Sequence, residues 1–165
     1  MPHQREKRDA DVKRTVAQVL VVRNSNLLLC LNKSGEFNGL FTGIISECRG
    51  GETPEEAAVR GCSSAGLVLE ASLLRKRAVL DMVEGSDIYA EHEFVYSGSF
   101  SGEPRETRRM GFAWFALDAV PFSNMPEDDA LWYPEVLSNE GLLRGRFEFT
   151  EDGMVRHSIE TVDKL

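Results

Sequence analysis

Apolar residues occupy nearly every position of Thr15–Arg23 (TVAQVLVVR) and again of Asn26–Lys33 (NLLLCLNK). Neither stretch alternates, so each reads as a strand covered on both faces, and Asn24-Ser25 between them reads as the turn of a hairpin. The next segment, SGEFNGLFTGIISECRGGE, holds five glycines and little periodicity. It predicts a long loop with a short strand over residues 41–45. A helix then announces itself. Thr53 is a suitable N-cap, Pro54 fits the first helical position, Glu56 completes a capping box, and Gly66 supplies a stop. Ala57, Ala58, Gly61, Cys62 and Ala65 would give it a face of small residues, fit for close packing.

From Leu67 to Phe100 the pattern is that of strands, with a turn at Gly85-Ser86-Asp87. A loop, SGEPRETRR, leads to a strand over residues 111–117. PEDDALWYPEVLSN reads as a second helix opened by Pro126, its acids placed to suit the helix dipole. RGRFEFTEDGMVRHSIETV predicts a terminal hairpin turning at Asp152-Gly153. The expectation is an α+β fold, mixed or antiparallel sheets sandwiched with two main helices, forming one domain over residues 15–165 behind a solvated arm over residues 1–14.

Composition narrows the function. The formal net charge of −8 over 165 residues opposes bulk attraction to nucleic acid. RNA would be met only through local basic runs such as Arg75–Arg77 or Arg105–Arg109. A small anion would need a local cationic spot, for which Lys33 is a candidate, or a bridging metal ion. Cys30, Cys48 and Cys62 are odd in number and form no CxxC pair, which suits reduced thiols in an intracellular setting. No apolar run approaches a membrane span, so no membrane partner is expected. The N-terminal residues lack a secretory h-region and carry acids unlike a transit peptide. A cytoplasmic protein is the expectation, with a mitochondrial one left open.

The order of hairpin, glycine loop, capped helix, strands, Trp-Phe strand and acidic helix resembles the Nudix hydrolases. Their signature reads G-x5-E-x7-R-E-U-x-E-E-x-G-U, where U is aliphatic. Here Gly43, Glu52, Arg60, Gly66 and Leu67 match it. FNG (Phe37–Gly39), AWFALDAVPFSNM (Ala113–Met125), DDALWYP (Asp128–Pro134) and the ending SIETVDKL look like the branch that hydrolyses oxidised purine nucleoside triphosphates. The resemblance implies the Nudix fold and water attack on a phosphoanhydride assisted by Mg2+ or Mn2+. It also implies a base pocket read by Asn38, Asp128 and Asp129 and walled by Phe37, Leu80, Met82 and Tyr89. The tryptophan that stacks on the base in those relatives is replaced by Pro126.

The departures concern the chemistry. After Arg60 the motif wants glutamate and the chain has Gly61. Ser63-Ser64-Ala65 stands where the paired glutamates belong, one residue is missing before Gly66, and eight residues separate Gly43 from Glu52 instead of five. Hard divalent cations want oxygen anions, and serine hydroxyls are neutral, weak ligands. Losing a single charge-assisted contact costs about 2–4 kcal/mol in a transition state. The remnant box is Glu52 and Arg60. Glu52 and Glu56 are the candidate metal ligands, Glu47 reads as a loop charge, and Arg60 is expected to pair with Glu56 one turn back. Three functions remain: a Nudix-fold module that binds a purine nucleotide or a protein partner without hydrolysing it; an active pyrophosphatase with relocated metal ligands; and a structural subunit of a larger, RNA-containing assembly.

Overall fold

The computed structural model describes residues 12, 14–138 and 141–165. The arm expected over residues 1–14 therefore lies outside the described residues except for Val12 and Arg14, and Arg14 already belongs to the first strand.

Strands β1 (Arg14–Arg23) and β2 (Asn26–Asn32) form the expected hairpin. Asn24 and Ser25 both take positive φ, 51° and 63°, as a two-residue turn matched to strand twist requires. The single short strand expected next is two: β3 (Phe41–Thr42) on β2, and β4 (Ile44–Glu47) on β1. They part at Gly43, where a side chain would run into Leu20 and the Val19 carbonyl. Helix α1 (Pro54–Ser64) has its capping box and ends with Gly66 at φ 98°.

The long strand run breaks into β5 (Leu67–Leu69), a 3-10 turn at Ala71–Leu73, β6 (Arg75–Glu84) and β7 (Asp87–Tyr96). β8 (Phe100–Gly102) pairs with β5 as a separate ribbon, and β9 (Met110–Ala116) lies along β2. Helix α2 (Asp129–Ser138) starts at Asp129, not at Pro126, whose carbonyl accepts the Asp129 N–H in a preceding turn. β10 (Leu142–Thr150) and β11 (Gly153–Val162) close the chain as a hairpin.

The main sheet runs β11-β10-β6-β7-β1-β2-β3, with β4 added to β1 and β9 to β2. β1 is parallel to β7 and β10 to β6; the remaining pairs are antiparallel. Both faces of β1 are covered, which explains why its middle is apolar apart from Gln18. Val16 and Leu20 enter the core beneath α2, with Leu80, Met82, Trp132, Tyr133 and Phe147. Ala17, Val19 and Val21 enter the core beneath α1, with Phe94, Tyr96, Ala57, Ala58 and Cys62.

β1 also sets the location of one cleft. Its edge is shared, since β4 pairs with residues 16–19 and β2 with residues 21–23. β2 and β4 therefore diverge, and the space between them opens onto α1.

Candidate functional site

The cleft between β2 and β4 has a volume of about 540 Å³. Cys30 and Asn32 line it from β2, Ile44–Glu47 from β4, Arg60, Gly61 and Ser64 from α1, and Ala65 from the C-cap of that helix. Glu52 stands at the foot of the helix but is already engaged. Its Oε2 accepts from Arg60 Nε at 2.9 Å, and its Oε1 accepts from Arg60 Nη2 at 3.0 Å and from the Arg49 N–H at 3.1 Å. Those bonds, Arg60's first, hold the Glu52 carboxyl down at about 2. Arg60 Nη2 also donates to the Glu47 carbonyl at 2.8 Å, so the guanidinium ties the loop to the helix.

The expected Arg60–Glu56 pair does not form. Glu56 turns back to accept the Thr53 N–H at 3.2 Å, while the loop brings Glu52 alongside the helix in its place. Glu47 is exposed, as expected of a loop charge, and reaches Arg14 at 3.5 Å.

The position after Arg60 is closed to a carboxylate. A β-carbon on Gly61 would overlap Ser46 Oγ and come within 2.9 Å of Ser46 Cβ. Ser46 is buried, so its side chain occupies the space a glutamate would enter through. Ser63 and Ser64 are exposed. Among the described residues no group of three His, Cys, Asp or Glu side chains is arranged to hold a metal ion. The donor set of the cleft does not fit the divalent cation that the box implies: Glu52 has both oxygens committed to cationic or amide donors, and Glu56 is a cap.

A second cavity of about 410 Å³ lies on the α2 side of the sheet, with Ile45 belonging to both walls. Its apolar surfaces come from Phe37, Leu40, Met82, Tyr89, Met125 and Phe149. Its polar floor is Gln18, Glu91, Asp128 and Asp129, all almost wholly buried. Gln18 is fully used. Its Nε2 donates to Glu91 at 2.8 Å and Glu93 at 2.9 Å, and its Oε1 accepts from the Gly43 N–H and the Tyr133 hydroxyl, both at 2.8 Å. Asp128 accepts from Trp132 Nε1 at 2.9 Å. One oxygen of Asp129, Oδ2, is buried with no hydrogen-bond partner. Burial first, then like charge nearby, raises the carboxyls of Glu93 and Asp129 well above the ordinary range, and burial lifts Glu91 to about 7.

A zebrafish (Danio rerio) protein named oxidized purine nucleoside triphosphate hydrolase is 32% identical to this chain over 149 residues, spanning 89% of the chain and 94% of that protein. The crystal structure of a mutator MutT protein from Bacillus halodurans superposes with a TM-score of 0.78 at 18% identity, over 90% of this chain and 98% of that one. A MutT Nudix hydrolase from Burkholderia pseudomallei superposes with a TM-score of 0.60 at 25% identity, over 66% of this chain and 86% of that one. The chain belongs to the MutT-like Nudix hydrolases. No family model matches it.

Of the residues that the Nudix resemblance assigned to the base, Phe37, Met82, Tyr89, Asp128 and Asp129 come together in the α2-side cavity. Pro126, in place of a stacking tryptophan, lines it as well. Two of them, Leu80 and Asn38, do not line it, and neither does Lys33, the candidate cation for a small anion. Leu80 is wholly buried in the α2-side core, where β6 is covered by β7, β10 and the helix. Asn38 is exposed on the β2–β3 loop, one residue beyond the inward-facing Phe37. Lys33 is exposed, and its side chain lies beside Gly111 on β9.

The Nudix reading of the sequence overlooked Gln18, Glu36, Glu84 and Glu91. A signal existed in YAEHEFVY. Glu91 and Glu93 alternate with His92 and Phe94, which puts both acids on the same face as Tyr89 and Val95. Two acids on an inward strand face mark a polar floor, as does a lone glutamine in the apolar run of β1.

No described helix is long and apolar enough to cross a membrane.

Proposed function

We propose that this Nudix protein binds a purine nucleotide through the α2-side cavity and does not hydrolyse it. One observation carries the second half: Ser46 fills the room a carboxylate after Arg60 would need, and Arg60 has turned to Glu52. The bidentate pair of Arg60 and Glu52 clamps the loop onto α1, a structural task in place of metal binding. The first half is supported by a cavity with apolar walls and a few convergent polar groups, set where two adjacent aspartates reach its floor. Asp128 and Asp129 can share a proton and so match a purine edge in more than one tautomer.

The test has two arms. The purified chain is incubated with nucleoside di- and triphosphates, oxidised purines included, plus Mg2+ or Mn2+, and the same panel is titrated calorimetrically with and without Mg2+. Binding that does not depend on the metal, with no turnover, supports the proposal. Turnover abolished by Glu52→Gln overturns it.

A hydrolase with relocated ligands is the second reading. It is favoured by the gathering of Glu47, Glu52, Glu55 and Glu56 around the start of α1, and by an ionised Glu52. It requires Glu52 to leave Arg60 for a cation. Manganese-dependent cleavage retained by Arg60→Ala and lost in Glu52→Gln would distinguish it.

A further inference from the structure

The α2-side cavity is lopsided in charge. Six carboxyl side chains line it: Glu36, Glu84, Glu91, Glu127, Asp128 and Asp129. None of its described lining residues is Lys, Arg or His. Arg14, whose guanidinium lies 4.4 Å from the centre of the Tyr89 ring, is outside the lining and is bound to Asp87 at 2.9 Å and Glu47 at 3.5 Å.

A donor and acceptor count sharpens this. The Gln18 amide is consumed, the Thr42 hydroxyl donates to the Gly43 carbonyl at 2.8 Å, and the Trp132 N–H goes to Asp128. A neutral oxopurine presents carbonyl oxygens, and the side-chain donors left to meet them are the Tyr89 hydroxyl and the protons that burial keeps on the floor carboxyls. A ring edge rich in N–H groups would find acceptors throughout, including Asp129 Oδ2, which is buried, belongs to a side chain only 3% exposed, and has no partner of its own. At the mouth, partial desolvation and the neighbouring Glu36 raise the Glu84 carboxyl to about 7. A cation between the two would relieve their repulsion. Tyr89 and Phe37 line the same space as aromatic walls.

We propose that the cavity selects a base with a fixed positive charge, a purine made cationic by alkylation at a ring nitrogen. This rests on reading the cavity as the base site and names the class of base. The recognising groups are Glu91 and the two aspartates on the floor, the Glu36–Glu84 pair at the mouth, and the aromatic walls. A cationic base favours release to water of the protons that burial holds on these carboxyls, and its attraction to the carboxylates so formed is strong because little water screens it; an uncharged base of the same shape gains nothing from either.

The experiment titrates the full chain calorimetrically with free nucleosides, which keeps phosphate and the α1 cleft out of the measurement. The pairs are guanosine with 7-methylguanosine and adenosine with 1-methyladenosine; tetramethylammonium supplies charge without a ring edge. Each methylated nucleoside is expected to bind at least tenfold tighter than its parent and tenfold tighter than tetramethylammonium. Glu91→Gln should cut the methylated-to-parent ratio to threefold or less. Because Glu91 is buried, the exposed pair Glu36→Gln/Glu84→Gln provides a second variant that leaves the core untouched, and it too should lower the ratio. Parents that bind as tightly as their methylated forms would overturn the charge selection and leave base binding standing. Failure of all four nucleosides to bind would overturn both. Tetramethylammonium binding as tightly as the methylated nucleosides would also overturn the proposal, since no base would then be read.

Discussion

Ser46 on β4 stands in the space that a side chain at position 61 of α1 would need, and Gly61 is what lets the helix lie against it. In an exposed helix interior, glycine to alanine gains about 0.5–1 kcal/mol. Here the sign reverses. Gly61→Ala is expected to destabilise the protein by about 1–3 kcal/mol, as overpacking does. Gly61→Glu, the change that restores the motif, should be at least as damaging and should restore no metal-dependent cleavage. Ser46→Gly combined with Gly61→Ala should recover most of the loss. Urea unfolding of the three variants checks this, and equal stability of Gly61→Ala and the unmodified chain would refute it.

Arg60 sets the ionisation of Glu52. In Arg60→Ala the Glu52 carboxyl should titrate well above about 2, toward its ordinary value of 4.5, as read by carboxyl-carbon NMR. The stability linked to Glu52 is present above pH 4.5 and is lost as pH falls toward 2, because its folded value is depressed. The variant should therefore lose part of the acid sensitivity of the unmodified chain below pH 4.

The carboxyls beneath α2 act in the opposite sense at higher pH. Glu91 is lifted to about 7, and Glu93 and Asp129 also lie above their ordinary values, all first through burial. They face one another, Gln18 of β1, Asp128, and Tyr133 of α2, with Glu36 and Glu84 at the mouth. The folded state therefore binds more protons than the unfolded chain, and their contribution, full below about pH 4.5, is lost as pH rises through about 7. His92, lowered to about 4 by burial, works against this between pH 4 and 6.5, but it is one group against several. The melting temperature should be higher at pH 5 than at pH 7.5. Glu91→Gln/Glu93→Gln should remove most of that difference; an unchanged pH profile in the double variant would exclude this origin.

Tyr133 ties α2 to the inner sheet. Its hydroxyl donates to Gln18 at 2.8 Å and accepts from the Gly43 N–H at 3.2 Å, while the Gly43 N–H keeps its own bond to Gln18. Tyr133→Phe leaves no buried donor unpaired, so the loss should be about 1 kcal/mol, the net worth of one hydrogen bond, and not the larger cost of an orphaned group. Chemical denaturation decides between the two.

Asp129→Asn separates stability from binding. It removes a carboxyl whose ionisation is opposed by burial and by Asp128, so the protein should become more stable at pH 8. The same change should weaken nucleoside binding about tenfold or more, since a buried acceptor facing the ligand is replaced. A variant that is both less stable and equally tight in binding would contradict the role given to Asp129 Oδ2.

The sequence by itself determined what depends on neighbours along the chain. The β1–β2 hairpin, the capping box of α1, the Gly66 stop and the Asp152-Gly153 turn were all legible, because a strand covered on both faces, a cap and a left-handed glycine are local requirements. The altered box was legible too, since a missing carboxylate is a matter of composition at one position.

Only the tertiary structure decided which groups meet. Arg60 faces Glu52 because Glu56 is spent on its cap, and Ser46 reaches Gly61 from a strand fifteen residues earlier in the chain. Glu91 becomes part of a polar floor because β7 pairs in parallel with β1, setting it beside Gln18. These contacts join different segments, eight residues apart for Arg60 and Glu52 and 73 apart for Gln18 and Glu91. Which groups meet depends on how loop, helix and sheet fold back on one another, which no spacing along one strand encodes.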